Sequence, residues 1–194
     1  MKQQMLIEFI CVAVATFLLS VLIERFMIPV LKSRKVGQKI LEIGPRWHMS
    51  KEGTPTMGGI CFILAMIAVS AVALIIDREG ALPFVFAMGL GLANALIGFV
   101  DDYTKLMKKQ NEGLLAWQKF ALQLVAAALY LAAMTLWGGM TTVLELPFTD
   151  FSVDLGVVYY VFALILITGM VNSTNLTDGI DGLASTVTLL LGAF

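Results

Sequence analysis

Five long apolar runs, separated by short polar segments, constrain the fold of this chain more than any other feature. A membrane-spanning helix needs about 20 mostly apolar residues, because the hydrocarbon core is about 30 Å thick and an α-helix rises about 1.5 Å per residue. Apolar residues make up 59% of the sequence and charged residues only 14%, which excludes an ordinary soluble domain. The five runs are residues 5–31, 57–76, 81–100, 117–137 and 155–171.

We therefore predict an all-α polytopic membrane protein in which residues 1–194 form a single integral membrane domain. A sixth apolar run begins at Leu183 and reaches only Phe194, so we expect five complete spans and a sixth helix, residues 183–194, that is cut short. Residues 141–151 combine β-branched and aromatic side chains around Pro147. This composition predicts a small external β-hairpin.

Positive charges are concentrated on one side of the predicted spans. Because Lys and Arg in short loops stay on the cytoplasmic side, we place the N-terminus outside, with odd-numbered spans running inward. The connection at residues 138–154 has acidic residues but no Lys or Arg. The cytoplasmic set comprises Lys32, Arg34, Lys35, Lys39, Arg46 and Lys51 after the first run, and Lys105, Lys108, Lys109 and Lys119 after the third.

The first polar motif, residues 48–59, leads directly into the second span. Thr54 can cap a helix, and Pro55 is tolerated at a first helical position. The free amides and the positive end of the helix dipole suit a phosphate, beside which Lys51 adds a positive charge. The alternative is that Thr54 and Pro55 only start a helix and Lys51 only sets the orientation. Both interpretations stay open on this motif alone.

The second motif places Asp101 and Asp102 at the inner end of the third span. Carboxylates at a membrane boundary are costly unless they are solvated, paired or bound to a cation, and at a helix C-terminus they oppose the dipole. Consecutive helical residues diverge by about 100°, so the two aspartates are predicted to take different roles. One would meet a metal or a reacting group while a lysine holds the other.

The third motif, residues 172–184, lies between the fifth span and the incomplete sixth. If this segment is helical, Asn172 shares a face with Asn175, and Asp178 shares a face with Asp181. The alternative is a solvated surface loop.

The charge rule places all three motifs on the cytoplasmic side, where they would form one site that mixes carboxylates with cations. Magnesium is bound by a few carboxylates together with waters and substrate phosphates, and phosphoryl transfer needs mainly alignment and charge neutralisation from a protein. The predicted site comprises Asp101, Asp102, Asp178, Asp181, Asn172, Asn175, Lys51, Lys105 and Lys119.

These motifs together resemble the bacterial MraY family, the phospho-N-acetylmuramoyl-pentapeptide transferases. The resemblance rests on residues 51–59, Lys-Glu-Gly-Thr-Pro-Thr-Met-Gly-Gly, on Asp101-Asp102-Tyr103, and on residues 175–184, Asn-Leu-Thr-Asp-Gly-Ile-Asp-Gly-Leu-Ala. It implies transfer of phospho-MurNAc-pentapeptide from its UDP carrier to undecaprenyl phosphate, which gives lipid I and UMP with magnesium at the cytoplasmic face of the bacterial inner membrane.

The resemblance also implies roles for individual residues. Asp101 and Asp102 match the catalytic aspartate pair, one of which would act as a base or, in a second scheme, as a covalent nucleophile. Asp178 and Asp181 match an acidic cluster near the nucleotide and the metal. Lys51 and Thr56 match the family's phosphate-side motif, and Asn175 matches the polar position beside the acidic cluster. From their place on the same predicted side, and not from the resemblance, we also expect Lys105, Lys119 and Asn172 to bind substrate or phosphate.

This chain departs from the family in one respect. In the family, later cytoplasmic loops supply a metal-binding aspartate and a histidine-rich motif. This chain has a single histidine, so we expect it to be an N-terminal fragment that is inactive alone. Two alternatives stay open: a related GlcNAc-1-phosphate transferase, and an ion-coupled transporter, whose carboxylates would lie nearer the bilayer midplane. We expect membrane lipid around the protein and no nucleic-acid partner, and a homodimer stays open.

Overall fold

The computed structural model describes residues 2–33, 57–76, 81–108, 113–146, 149, 151–179 and 181–193. Over these ranges the chain forms helices together with two short strands. The elements are α1 (Lys2–Ser33), α2 (Gly59–Ile76), α3 (Ala81–Lys108), α4 (Ala116–Leu136), β1 (Val143–Glu145), β2 (Ser152–Asp154), α5 (Val157–Thr177) and α6 (Leu183–Ala193).

Four helices in the described part of the chain are long and apolar enough to cross a membrane. Large apolar side chains on them point away from the protein: Phe17, Phe26 and Leu129 are each 67% exposed, as expected of helices that contact lipid. The predicted all-α polytopic class is thus confirmed. The four segments are Ile10–Ser33, Leu82–Lys108, Ala116–Leu136 and Val157–Thr177, and the shorter apolar helices are Gly59–Val72 and Leu183–Gly192.

Two exposed tryptophans mark the ends of α4. Trp117 and Trp137 are 67% and 65% exposed and are separated by 20 residues (137 − 117). At about 1.5 Å per residue this separation is about 30 Å, the thickness of the hydrocarbon core. Tryptophan is enriched at both membrane interfaces, so α4 has the dimensions and the end residues of a complete span.

The helices pack through small side chains. In α2, which packs against α1, Cys61 and Ala65 lie one turn apart and are fully buried. In the pair formed by α4 and α5, Ala127 and Ala163 are buried. Small residues let helix backbones approach closely, which is the usual basis of helix association in lipid.

Contacts divide the chain into two compact units. The prediction of a single membrane domain stays a prediction. One unit comprises Met1–Ala81 and Gly98–Leu115, and the other comprises Leu82–Ile97 and Ala116–Phe194.

The predicted hairpin is present, with its second strand just beyond the predicted end at residue 151. Strands β1 and β2 are antiparallel, with Leu144 opposite Val153. Asp154 accepts hydrogen bonds from the Thr142 hydroxyl at 2.5 Å and the Gly156 amide at 2.9 Å. These two donors, the hydroxyl first, lower the pKa of Asp154 below its ordinary value. The carboxylate therefore closes the hairpin where the chain enters α5.

Helices α2, α3 and α5 have boundaries that differ from the predicted runs. Helix α2 begins at Gly59 and not at Met57, because Met57 adopts a left-handed backbone with φ 67°. Thr54 and Pro55, which were predicted to start a helix, lie outside the described residues. Helices α3 and α5 continue past the apolar runs, to Lys108 and Thr177. Hydropathy reports where an apolar run ends, whereas a helix continues wherever its backbone hydrogen bonds remain favourable.

Candidate active site

A cluster of two carboxylates and one lysine occupies the C-terminal turns of α3. Lys105 Nζ lies 2.7 Å from Asp101 Oδ2 and 3.0 Å from Asp102 Oδ1. The spacings of four and three residues bring all three side chains to one face of the helix. A lysine in the last turn also offsets the unfavourable interaction of the carboxylates with the helix dipole. One lysine thus holds both aspartates, where the sequence predicted that it would hold only one.

The two aspartates differ in their surroundings. The Asp101 side chain is 11% exposed, and its Oδ1 accepts a hydrogen bond from the Leu114 amide at 2.8 Å. The Asp102 side chain is 41% exposed, and no hydrogen bond or ion pair from the described residues reaches its Oδ2. Asp101 is therefore held on both oxygens, and Asp102 is the more exposed of the two. That the two aspartates take different roles stays a prediction.

A second polar group joins α4 to α5. Lys119 Nζ donates to Asn175 Oδ1 at 3.4 Å, which brings together two residues predicted to bind substrate. One turn along each helix, Asn172 Nδ2 donates to Gln123 Oε1 at 2.7 Å and to the Thr168 carbonyl at 2.8 Å. Gln123 is only 2% exposed.

These contacts bear on the roles predicted for the two asparagines. Both amide hydrogens of Asn172 point at protein acceptors, which leaves its carbonyl oxygen as the group that could meet a ligand. Asn175 is exposed beside the Lys119 ammonium and is better placed to meet an anion. That either asparagine binds substrate stays a prediction.

The Gln123–Asn172 hydrogen bond yields a testable prediction about stability. Replacing Asn172 with leucine should destabilise the protein by about 0.5–1.5 kcal/mol, because a buried amide oxygen loses its donor within the membrane. Gln123→Leu should have a similar effect, and the double variant should lose less than the sum. Denaturant unfolding in detergent measures these changes, with Thr174→Val, an exposed hydroxyl bonded to its own helix, as control. Strictly additive losses would contradict a direct contact.

Asp178 and Asp181 lie in the turn between α5 and α6. Helix α5 ends at Thr177, the Asp178 amide donates back to the Thr174 carbonyl, and Gly182 has φ 79° just before α6 begins. Asn172 and Asn175 therefore share a face of α5, whereas Asp178 and Asp181 do not, since both aspartates lie beyond the helix. Both aspartates are exposed, as ligands of an ion delivered with a substrate would be.

The carboxylates of this turn fit one mode of magnesium binding, in which the ion is shared with a substrate. Within the described ranges, no group of three or more His, Cys, Asp or Glu is arranged to hold a metal ion. Mg²⁺ does not require such a cage, because it retains waters and takes one or two carboxylates together with substrate phosphates. Asp178 and Asp181 fit that shared mode of binding and not a closed structural site.

Two predicted site residues, Lys51 and Thr56, lie outside the described residues. Conversely, the structure adds residues that the sequence did not single out for the site. Gly113 and Leu114 contact Asp101, and Gln123 contacts Asn172. The signal for Gly113 was a lone glycine downstream of the aspartates, which predicts a turn and no more.

Fold and side chains together define a class: a multi-pass α-helical membrane protein with paired carboxylates and a lysine at a helix end. Comparison with known families agrees with this class. Residues 82–194 match the family described as Glycosyl transferase family 4, and residues 51–63 match the phospho-N-acetylmuramoyl-pentapeptide-transferase signature 1. The chain belongs to glycosyl transferase family 4 and carries the MraY signature.

Curated relatives support the same assignment. A protein of Shouchella clausii is 42% identical over 185 residues, one of Bacillus licheniformis 40% over 179, and one of Staphylococcus carnosus 39% over 180. Each is named phospho-N-acetylmuramoyl-pentapeptide-transferase. The matches cover 92–94% of this chain and 55–56% of each relative, so the chain spans just over half the length of the relatives it matches.

Proposed function

We propose that this protein transfers phospho-MurNAc-pentapeptide from UDP-MurNAc-pentapeptide to undecaprenyl phosphate, with lipid I and UMP as products. An oxygen of the lipid phosphate attacks the phosphorus attached to the sugar, the bond from that phosphorus to the bridging oxygen breaks, and UMP leaves with the bridging oxygen. The observation that carries the proposal is the MraY signature at residues 51–63. It occurs in a chain whose α3 ends in the Asp101–Asp102–Lys105 cluster.

The carboxylate cluster supports a role in proton transfer. In the proposed reaction, the aspartate pair supplies the base that takes a proton from the lipid phosphate, which makes its oxygen a better nucleophile. Attack by a carboxylate through a covalent intermediate is the alternative scheme. Lys105 keeps the pair compact and carries positive charge beside an anionic reaction.

The remaining predicted residues would bind the phosphates. Lys119 and Asn175 form a cation–amide pair suited to an anionic ligand, and Lys51 and Thr56 belong to the signature segment. Asp178 and Asp181 would hold Mg²⁺, which when bound neutralises charge on the pyrophosphate.

The proposed location is the bacterial inner membrane, with the N-terminus outside and the active site on the cytoplasmic side. The proposed reaction is a step in peptidoglycan synthesis. The support is the placement of Lys and Arg on one side of the spans and the bacterial origin of the relatives. Membrane lipid surrounds the helices in this proposal, and a homodimer remains a prediction.

The test is an assay of the protein as its gene encodes it, purified in detergent with undecaprenyl phosphate and Mg²⁺. UDP-MurNAc-pentapeptide should give UMP and a lipid-linked product, and UDP-GlcNAc should give neither. Product from UDP-GlcNAc alone would favour the related GlcNAc-1-phosphate transferase. Absence of product with every UDP-sugar would reject the enzyme and leave the ion-coupled transporter. That residues 1–194 alone are inactive stays a prediction, which UMP release by that segment would overturn.

A further inference from the structure

The segment at residues 113–115 lies directly on Asp101. The Leu114 amide is 2.8 Å from Asp101 Oδ1, and Lys105 Nζ is 2.7 Å from Oδ2. Asp101 as a whole is only 7% exposed. Each carboxylate oxygen therefore has a donor of its own, one from α3 and one from the segment that follows α3. Together these donors fix both the position of the carboxylate and its rotation about the Cβ–Cγ bond.

Glycine at position 113 is what allows this approach. A Cβ built on Gly113 would lie 2.6 Å from the backbone oxygen of Asp101 and 2.8 Å from its Cγ, and would also overlap Oδ1. Real Cβ atoms essentially never approach other atoms so closely, and the backbone oxygen belongs to a helix that cannot yield cheaply. Backbone conformation is not the reason for the glycine, because the described glycines with positive φ are Gly139, Gly156 and Gly182. Space alone requires it.

We propose that Gly113 is a positioning residue for Asp101, in that it lets the 113–115 segment close on the carboxylate so that the Leu114 amide fixes Oδ1. This inference rests on the proposed function, in which the aspartate pair takes part in the reaction. A methyl group at position 113 would push the segment away from Asp101 or turn the carboxylate. Either movement displaces a reacting group by about 1 Å, which can lower a rate about 10²-fold.

The experiment compares Gly113→Ala with Gly91→Ala in the protein as its gene encodes it. Gly91 lies in the same helix as Asp101, and a Cβ there meets nothing within 4 Å among the described residues. Gly113→Ala should lower kcat by about 10- to 100-fold and leave KM for both substrates within about twofold of wild type, because Gly113 acts through Asp101 and not on substrate binding. Gly91→Ala should leave both constants unchanged.

Coupling to Asp101 separates positioning from a general effect on folding. In an Asp101→Asn background, Gly113→Ala should lower kcat by no more than about twofold, because the group that it positions has already been removed. A full further loss in that background would overturn the proposal, as would wild-type kcat in Gly113→Ala. If the wild-type protein itself shows no turnover, the proposed function fails. An active wild type with an equally active Gly113→Ala variant rejects the positioning role alone.

A second change keeps the proposal falsifiable if Gly113→Ala does not fold. Replacing Leu114 with its α-hydroxy acid analogue deletes the amide N–H and adds no bulk at Gly113. We expect kcat to fall about 10-fold with KM unchanged, because Asp101 loses the donor that fixes its Oδ1 and its carboxylate can turn away from the reacting position. An unchanged kcat in this variant would overturn the proposal.

Discussion

Asp101→Asn and Asp102→Asn should each lower kcat by about 10²- to 10⁴-fold, the usual contribution of a general base. Both replacements keep the size of the side chain and remove the charge. In Asp101→Asn, an amide group would also meet either the Leu114 N–H or the Lys105 ammonium, so that two donors face each other. Initial rates of UMP release by the protein as its gene encodes it, at saturating levels of both substrates, measure this effect.

The matched control is Glu145→Gln, which makes the same carboxylate-to-amide change in the exposed strand β1 and should leave kcat unchanged. Asp178→Asn and Asp181→Asn should also lower turnover, because they weaken the binding of the nucleotide and Mg²⁺ and do not remove the base. Near-normal rates in all four aspartate variants would contradict the assignment of the site.

Lys105→Gln should affect both stability and turnover, because the Lys105 ammonium contacts both carboxylates. Without it, two adjacent negative charges remain at a helix C-terminus, one of them on the buried Asp101. The pair is intermediate between an exposed ion pair, worth about 0–1 kcal/mol, and a buried one, whose disruption costs about 3–5 kcal/mol. We therefore expect a loss of about 1–3 kcal/mol in the free energy of unfolding, and a fall in kcat of at least about 10-fold.

Lys108→Gln is the control for this change, since Lys108 is exposed in the same last turn of α3 and should tolerate the replacement. Adding Asp102→Asn to Lys105→Gln should restore part of the stability, because one of the two uncompensated charges is then removed. Equal free energies of unfolding for the Lys105→Gln and Lys108→Gln variants in detergent would show that the ion pairs contribute nothing to stability.

The helices of this protein could be predicted from sequence because lipid imposes a simple requirement: a segment that crosses the membrane must be apolar and must satisfy its own backbone. Helix ends were less predictable. Helix α3 extends past Val100 because Asp101 and Lys105 are spaced to pair on a helix. Helix α5 extends past Val171 with the Asn172, Thr174 and Thr177 side chains bonded to carbonyls of the preceding turn.

The candidate site was predictable in residue type but not in contacts. Two adjacent aspartates at a membrane boundary already demanded a cation, and Lys105 was near in sequence. The contact of Gly113 and Leu114 with Asp101 depends on where the chain returns after α3, which no local pattern specifies. The same holds for Gln123, whose partner Asn172 lies 49 residues away. Side chains that pair across long separations emerge only from the packing of the helices.

Side-specific labelling directly tests the proposal that the polar motifs face the cytoplasmic side of the membrane. In a background with Cys11→Ser and Cys61→Ala, single cysteines are introduced as Lys108→Cys at the end of α3, Leu176→Cys near the end of α5, and Glu145→Cys in the hairpin. An impermeant maleimide added to intact cells should label only Glu145→Cys, and the other two should react after permeabilisation. Labelling of Lys108→Cys and Leu176→Cys from opposite sides would contradict a single cytoplasmic site.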